Sequence, residues 1–226
     1  MQSDFWHDKW ERMEIGFHLN EVNKILLKYW PALKVAPGST VLVPLCGKTL
    51  DLVWLRSQGY GVVGIELSEI ALDELAQLLR DELNLTLEKN RTQLNGEDTA
   101  VYRGDGVLLI AGDFFAVTPE LIGPVHAVYD RAALVALPAT MRIDYCNQIR
   151  RLSDHAPQLL VTFDYDQNIA NGPPFAVLDD EVRTHYAVHY AQLERLDDRE
   201  LIEQEPKFRA KGLTSFRQLV YHLHQN

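Results

Sequence analysis

The stretch VLVPLCGKTLDLVWL, residues 41–55, decides the fold. Its first residues form an apolar run of strand length, and its last residues open a helix. Thr49 is placed to cap that helix and Gly59 to end it. A strand, a tight loop and a helix start, in that order, form the turn where α/β proteins bind phosphates and nucleosides. Gly47-Lys48-Thr49 looks like the end of a phosphate-binding loop. That motif needs a glycine five positions before Gly47, and Leu42 stands there, inside the strand. The three spaced glycines of a dinucleotide turn are missing too, and only Gly47 is available. The loop therefore has no cradle for a diphosphate.

Outward from this unit the same alternation continues. YGVVGIEL (60–67) reads as a second buried strand, and SEIALDELAQLLRDEL (68–83) as a helix capped by Ser68. GVLLIAGDFF (106–115) and VHAVYDRAAL (125–134) read as a third and fourth strand. PATMRIDYCNQIRRLS (138–153) is a helix with Pro138 near its start, and PQLLVTFDY (157–165) is a fifth strand. A Gly/Pro loop and a short helix, LDDEVRTHYA (178–187), lead to two last strands near 191–204 and 214–224. Ahead of all this, Leu19, Val22, Leu26, Tyr29 and Trp30 have helical spacing. The pattern predicts an α/β fold: a mostly parallel seven-stranded sheet with helices on both faces. The last two strands are too close for a helical crossover, so they form an antiparallel edge hairpin. Residues 85–117 differ in character, with short alternating runs around the turn signal Asn95-Gly96.

Composition narrows the function. The 226 residues fit one domain, 1–226, within which 1–33 reads as an N-terminal helical lid. A net charge of −10 without a basic cluster argues against nucleic acid and anionic membranes. No apolar run reaches the roughly 18 residues of a membrane span, and the charged, aromatic N-terminus lacks a signal-peptide core. Cys46 and Cys146 stand alone, which suggests no disulfide framework and no thiolate metal site. The expectation is a reduced, cytoplasmic monomer acting on a small molecule.

One element of a nucleoside site survives in the sequence. Glu66 ends the second strand, nineteen residues after Gly47, where an acid accepts hydrogen bonds from ribose hydroxyls. Ribose recognition without a diphosphate cradle fits S-adenosylmethionine. Cys46 reads as a small buried thiol rather than a nucleophile, and His18 reads as a structural hydrogen-bonder rather than a base.

The segment from Val41 to Leu72 resembles the first two motifs of the thiopurine S-methyltransferases, in which Pro-Leu-Cys-Gly-Lys replaces a glycine-rich loop. FWHDKWERMEIGFH (5–18), YDRAALVALP (129–138) and GPPF (172–175) resemble further segments of that family. The resemblance spans nearly the whole chain and is nearest to bacterial members. It implies a Rossmann-like class I S-adenosylmethionine-dependent methyltransferase fold. It implies cofactor contacts from Trp10, Leu45, Glu66 and Arg131, alongside Gly47. Asp113 and Phe114 match a region beside the adenine. Phe17 matches a residue near cofactor and acceptor, and Arg131 serves either ligand. Trp6, Trp10 and Phe17 would belong to the lid. The implied acceptors are aromatic or heterocyclic thiols such as thiopurines, with selenium compounds, a selenol for instance, and tellurium species, as in tellurite resistance. No catalytic residue is assigned, because positioning suffices. A nicotinamide-dependent oxidoreductase and a non-catalytic S-adenosylmethionine-binding protein remain as alternatives.

Overall fold

The computed structural model describes residues 19–225 together with Trp10 and Arg12. Its centre is β1 (Thr40–Pro44), flanked in parallel by β2 (Gly61–Glu66) and β6 (Ala127–Arg131). Outside these, again parallel, lie β5 (Val107–Ala111) against β2 and β7 (Gln158–Asp164) against β6. β9 (Arg217–His224) runs antiparallel to β7, and β8 (Gln192–Glu200) runs antiparallel to β9 at the edge. These are the seven strands that the sequence predicts.

The sheet continues further than that reading. β3 (Glu88–Leu94) and β4 (Glu97–Gly104) form a hairpin, and β4 pairs antiparallel with β5, so the sheet has nine strands among the described residues. The hairpin turns at Asn95 and Gly96, with φ of 51° and 84°. Two consecutive left-handed residues match the right-handed twist of the strands they join. At the other edge, β8 stops at Glu200 rather than running on to residue 204. The Glu200 carboxylate accepts from the Ile202 and Phe216 amides and from the Ser215 hydroxyl, which turns the chain. A short helix, Pro206–Ala210, occupies the connection to β9.

Strand alternation sorts side chains to two faces. Val41 and Val43 point to one layer with α1 (Lys24–Tyr29), α2 (Leu50–Ser57) and α3 (Glu69–Leu83). Leu42 points to the opposite layer with α4 (Pro119–Ile122), α5 (Ala139–Ser153) and α6 (Asp179–Tyr186). α3 shows why such segments form helices. Ala71, Leu72, Leu75, Ala76 and Leu79 recur at helical spacing and are buried, and the Ser68 hydroxyl accepts from the Ala71 amide at the N-cap. No helix among the described residues is long and apolar enough to cross a membrane.

A buried acid joins the N-terminal segment to this frame. Asp51, in the first turn of α2, is 1% exposed. It accepts from the Asn23 amide at 2.7 Å and from the Tyr129 hydroxyl at 2.9 Å. Asn23 in turn caps α1 by accepting from the Ile25 amide. At the other end of α1 the Tyr29 hydroxyl donates to Asp197 on β8. Ile25, Leu26, Trp30 and Leu33 are buried in the α1–α3 layer. Residues 24–33 of the segment expected to form a lid are thus built into the body of the protein.

Asp51→Ala should lower the unfolding free energy by about 3 kcal/mol, because a half-buried amide and a buried phenol lose a charged acceptor. Asp51→Asn should lose less. Urea denaturation measures both. A loss under about 1 kcal/mol in the alanine variant would mean that water replaces the carboxylate.

Candidate active site

The carboxyl ends of β5, β2, β1 and β6 form one rim, in that order. Each of the four carries residues singled out in the sequence, on its last position or in the turn that follows. After β1, Leu45 and Gly47 have φ of 45° and 54°. The left-handed region is cheap for glycine but costly for leucine, and such strain gathers at functional sites. Ala132, just after β6 on the neighbouring strand, has a φ of 64°.

The β1 loop lies directly on β2. The Cys46 amide donates to the Ile65 carbonyl at 3.0 Å, and Thr49 caps α2 by accepting from the Asp51 amide. Gly64 makes this approach feasible. A Cβ there would stand 2.9 Å from Cys46 Sγ, Leu52 Cδ1 and Leu109 Cδ2. Sequence reading passed over Gly64, although a glycine inside a strand pattern signals close approach.

Glu66 is clasped in this junction. Its Oε2 accepts from the Gly47 amide at 2.9 Å, and its Oε1 accepts from the Ser68 amide at 3.0 Å. The residue is 7% exposed. A carboxylate offers about four acceptor positions, and the Gly47 and Ser68 amides are among the groups that fill them. The arrangement suits a ribose diol arriving at the rim. Lys48 turns away from the loop to pair with Glu74 on α3 at 2.5 Å. The residue that would hold a phosphate in a phosphate-binding loop is thereby committed to an ion pair. Cys46 is buried, and burial followed by the charge of Glu66 raises its thiol well above the usual range. Both features point away from a nucleophile.

The turn after β5 abuts Glu66, whose carbonyl accepts from the Gly112 amide at 2.9 Å. Asp113 is exposed, and its carboxylate caps the following turn by accepting from the Phe115 amide. Phe114 is 2% exposed, its ring packed 5.2 Å from that of Tyr145. Any contact from residue 114 to a ligand therefore comes through its backbone. A residue not picked out from the sequence holds this turn: Gln148 Nε2, from α5, donates to the carbonyls of Phe114 and Val117 at 2.9 and 2.8 Å. Its helical neighbours gave no signal, because the partner carbonyls are more than thirty residues away.

Arg131 ends β6 and is half-buried. The adjacent Asp130 carboxylate is fully buried and accepts from the Tyr145 hydroxyl, the Leu134 amide and Gln158 Nε2. Trp10 is 2% exposed. Trp6, Phe17 and His18 lie outside the described residues. Leu45, Gly47, Glu66, Asp113 and Arg131 are thus gathered along one rim, from strands that are distant in sequence.

The chain is similar to known proteins over its whole length. The model of the family described as Thiopurine S-methyltransferase matches residues 1–226. A Thiopurine S-methyltransferase of Shewanella woodyi is 43% identical over 225 residues, covering 99% of this chain and 98% of the relative. One from Xanthobacter autotrophicus is 47% identical over 191 residues, covering 84% and 86%. Among solved structures, magnesium protoporphyrin IX methyltransferase from Synechocystis with bound S-adenosylmethionine superposes with a TM-score of 0.62 at 14% identity, covering 98% of this chain and 96% of that one. The 1,6-didemethyltoxoflavin-N1-methyltransferase of Burkholderia thailandensis, with S-adenosylhomocysteine bound, also gives 0.62, at 13% identity, covering 99% and 87%. At such identities the structural likeness speaks for the fold.

Asp130 provides a test of the rim's electrostatics. Burial pushes its carboxyl up to about 6, although hydrogen bonds from Tyr145 and the Leu134 amide pull the other way. An unfolded aspartate titrates near 3.9. Between these values the folded protein holds a proton that the unfolded chain has released. Folding takes up that proton, so the contribution of Asp130 is greatest at low pH and declines as pH rises through the window. Measured by urea denaturation, the stability of wild type relative to Asp130→Asn should fall between about pH 4 and pH 6.5, by up to about 3 kcal/mol. A difference that stays flat would mean that Asp130 is ionised throughout.

Proposed function

Because the chain belongs to the thiopurine S-methyltransferase family, and is thus an S-adenosylmethionine-dependent methyltransferase, we propose that it methylates the sulfur of small aromatic or heterocyclic thiols such as thiopurines. Selenols and tellurium species are proposed as further acceptors of the same soft, polarisable kind. The observation that supports this reading best is the Glu66 carboxylate, held by two backbone amides at the β1–β2 rim. It offers a ribose site beside a loop that has no diphosphate cradle. That combination disfavours the nicotinamide reading.

When bound, S-adenosylmethionine supplies a methyl group already activated by its sulfonium. The protein's task is then to hold two reactants in line and keep water away. Glu66 receives the ribose hydroxyls. Asp113, exposed on the next turn, accepts from the adenine amine. Leu45 and Gly47 bring the loop backbone alongside the nucleoside, and Phe114 anchors the turn under it. Arg131 presents a planar fork of donors to the methionine carboxylate or to an anionic acceptor. Trp10 lends an aromatic face to the sulfonium, and Phe17 stacks on the flat acceptor. A thiolate is already a good nucleophile, so no general base is assigned. Cys46, held as a buried thiol, takes no part as a relay, and transfer is direct. The lid reading now narrows to the residues ahead of Asn23. We read the whole chain as one methyltransferase domain, working as a cytoplasmic monomer without a nucleic-acid or membrane partner.

Glu66→Ala should weaken S-adenosylmethionine binding by roughly ten- to a hundredfold, the equivalent of about 1.5–3 kcal/mol for a charge-assisted hydrogen bond. Glu66→Gln should lose less. Calorimetric titration measures both, with circular dichroism to check the fold. Unchanged affinity in a folded alanine variant would sink the ribose assignment.

Incubation of the wild type with methyl-labelled cofactor and a thiopurine should yield an S-methylated product, and Cys46→Ser should retain turnover. Cofactor binding without any transfer to thiols would favour the non-catalytic alternative.

A further inference from the structure

Away from the rim, the β8–β9 hairpin gathers three side chains that the methyl-transfer chemistry does not use. Glu194 on β8 lies opposite His222 on β9 in the antiparallel register. His224 follows two residues later and so projects from the same face of the sheet. One donor atom from each of the three lies within 4.8 Å of the others. The two imidazole rings stack with centroids 4.2 Å apart.

His222 carries a second, independent sign. It is only 8% exposed, and its Nε2 is buried without a hydrogen-bond partner. Buried polar atoms are nearly always satisfied, and an exception calls for an explanation such as an ion. We propose that Glu194, His222 and His224 form a site for a divalent transition-metal ion of the zinc type, with a coordination position left open to water.

The donor set supports that class. Two imidazoles and one carboxylate are borderline ligands of the kind that zinc and its neighbours take. Calcium and magnesium prefer all-oxygen shells and are disfavoured. Burial, followed by the proximity of His224, lowers the pKa of His222. That favours the neutral imidazole a metal requires. Glu194 acts on His222 in the opposite sense, and Lys34 adds positive charge that disfavours imidazolium further. Closing on an ion requires the stacked rings to open. His224 is the half-buried member, on the last residue of β9, so its ring is the one able to turn.

The register also gives the place of the ion in the fold. Leu223, between the two histidines, pairs with Gln158, the first residue of β7. The site is therefore at the amino end of β7, opposite the rim that carries Glu66 and Arg131. It spans β8 and β9 beside the register shift between Arg195 and Asp197. A bound ion would clip the edge strand where its pairing is irregular, and would leave methyl transfer unaffected.

The test uses the full chain, tag-free and stripped with a chelator, titrated with zinc chloride by calorimetry and with cobalt chloride by visible absorption. One equivalent should bind, cobalt should give the absorption bands of a low-coordinate site, and the melting temperature should rise. Glu194→Gln and His224→Gln should each weaken binding by more than about tenfold, since even an outer-shell partner is worth that much. His185→Gln, on α6 in the layer that Tyr221 and Leu223 face, should bind as wild type does. Circular dichroism confirms that each variant is folded. Absence of binding to the wild type, or equal binding by Glu194→Gln and His224→Gln, would overturn the site.

Discussion

The loop after β1 can lie where it does only because Gly64 has no side chain. A single Cβ at that position would intrude on the loop, on α2 and on β5 at once, through Cys46, Leu52 and Leu109. With that space left open, Cys46 settles on β2 and the Gly47 amide comes within hydrogen-bonding distance of Glu66. The same descent sets the angle at which α2 begins. That in turn brings Asp51 under Tyr129 and into reach of Asn23. Glu66, the loop and the start of the N-terminal helix are therefore positioned by one close approach between neighbouring strands.

Three buried acids share this region, and each is kept by a different means. Glu66 is held by two amides and faces the rim. Asp51 joins α1, α2 and β6 through a backbone amide and a phenol. Asp130 accepts from Tyr145, Leu134 and Gln158 in the opposite layer, with its carboxyl pushed up by burial. A carboxylate out of water is costly unless its acceptor positions are filled. The donors around each acid thus decide whether it serves the frame or the ligand. Adjacent positions on β6 consequently have separate duties, since Asp130 packs into the core and Arg131 stays at the rim.

The two ends of the sheet differ in the same way. At the carboxyl rim, left-handed backbone at Leu45 and Ala132 shapes the turns, and side chains converge from strands far apart in sequence. At the amino end of β7, Glu194, His222 and His224 meet across a single hairpin. The first arrangement suits an organic ligand that touches many elements. The second suits a compact ion. No motif spacing in the sequence revealed it, because strand pairing, not linear order, brings Glu194 beside His222.

The sequence by itself determined the layered α/β class, the ladder of strands and helices from Val41 to Tyr165, and the refusal of a diphosphate at Leu42 and Gly47. Those follow from local causes: hydrophobic period, caps such as Ser68, and the positions of glycines. It also placed Glu66 at the end of its strand, and its resemblance to one methyltransferase family matched the family found by comparison over the whole chain. Only the tertiary structure decided that the hairpin around Asn95-Gly96 joins the main sheet, because a turn signal names a hairpin but not the edge it pairs with. Only it showed α1 anchored to Asp51 and Asp197, Phe114 turned into the core, and Gln148 holding the Phe114 turn. Each of those depends on a partner 28 to 168 residues away along the chain. Contacts at such separations carry no periodicity, so they leave no mark on the linear pattern until packing brings the partners together.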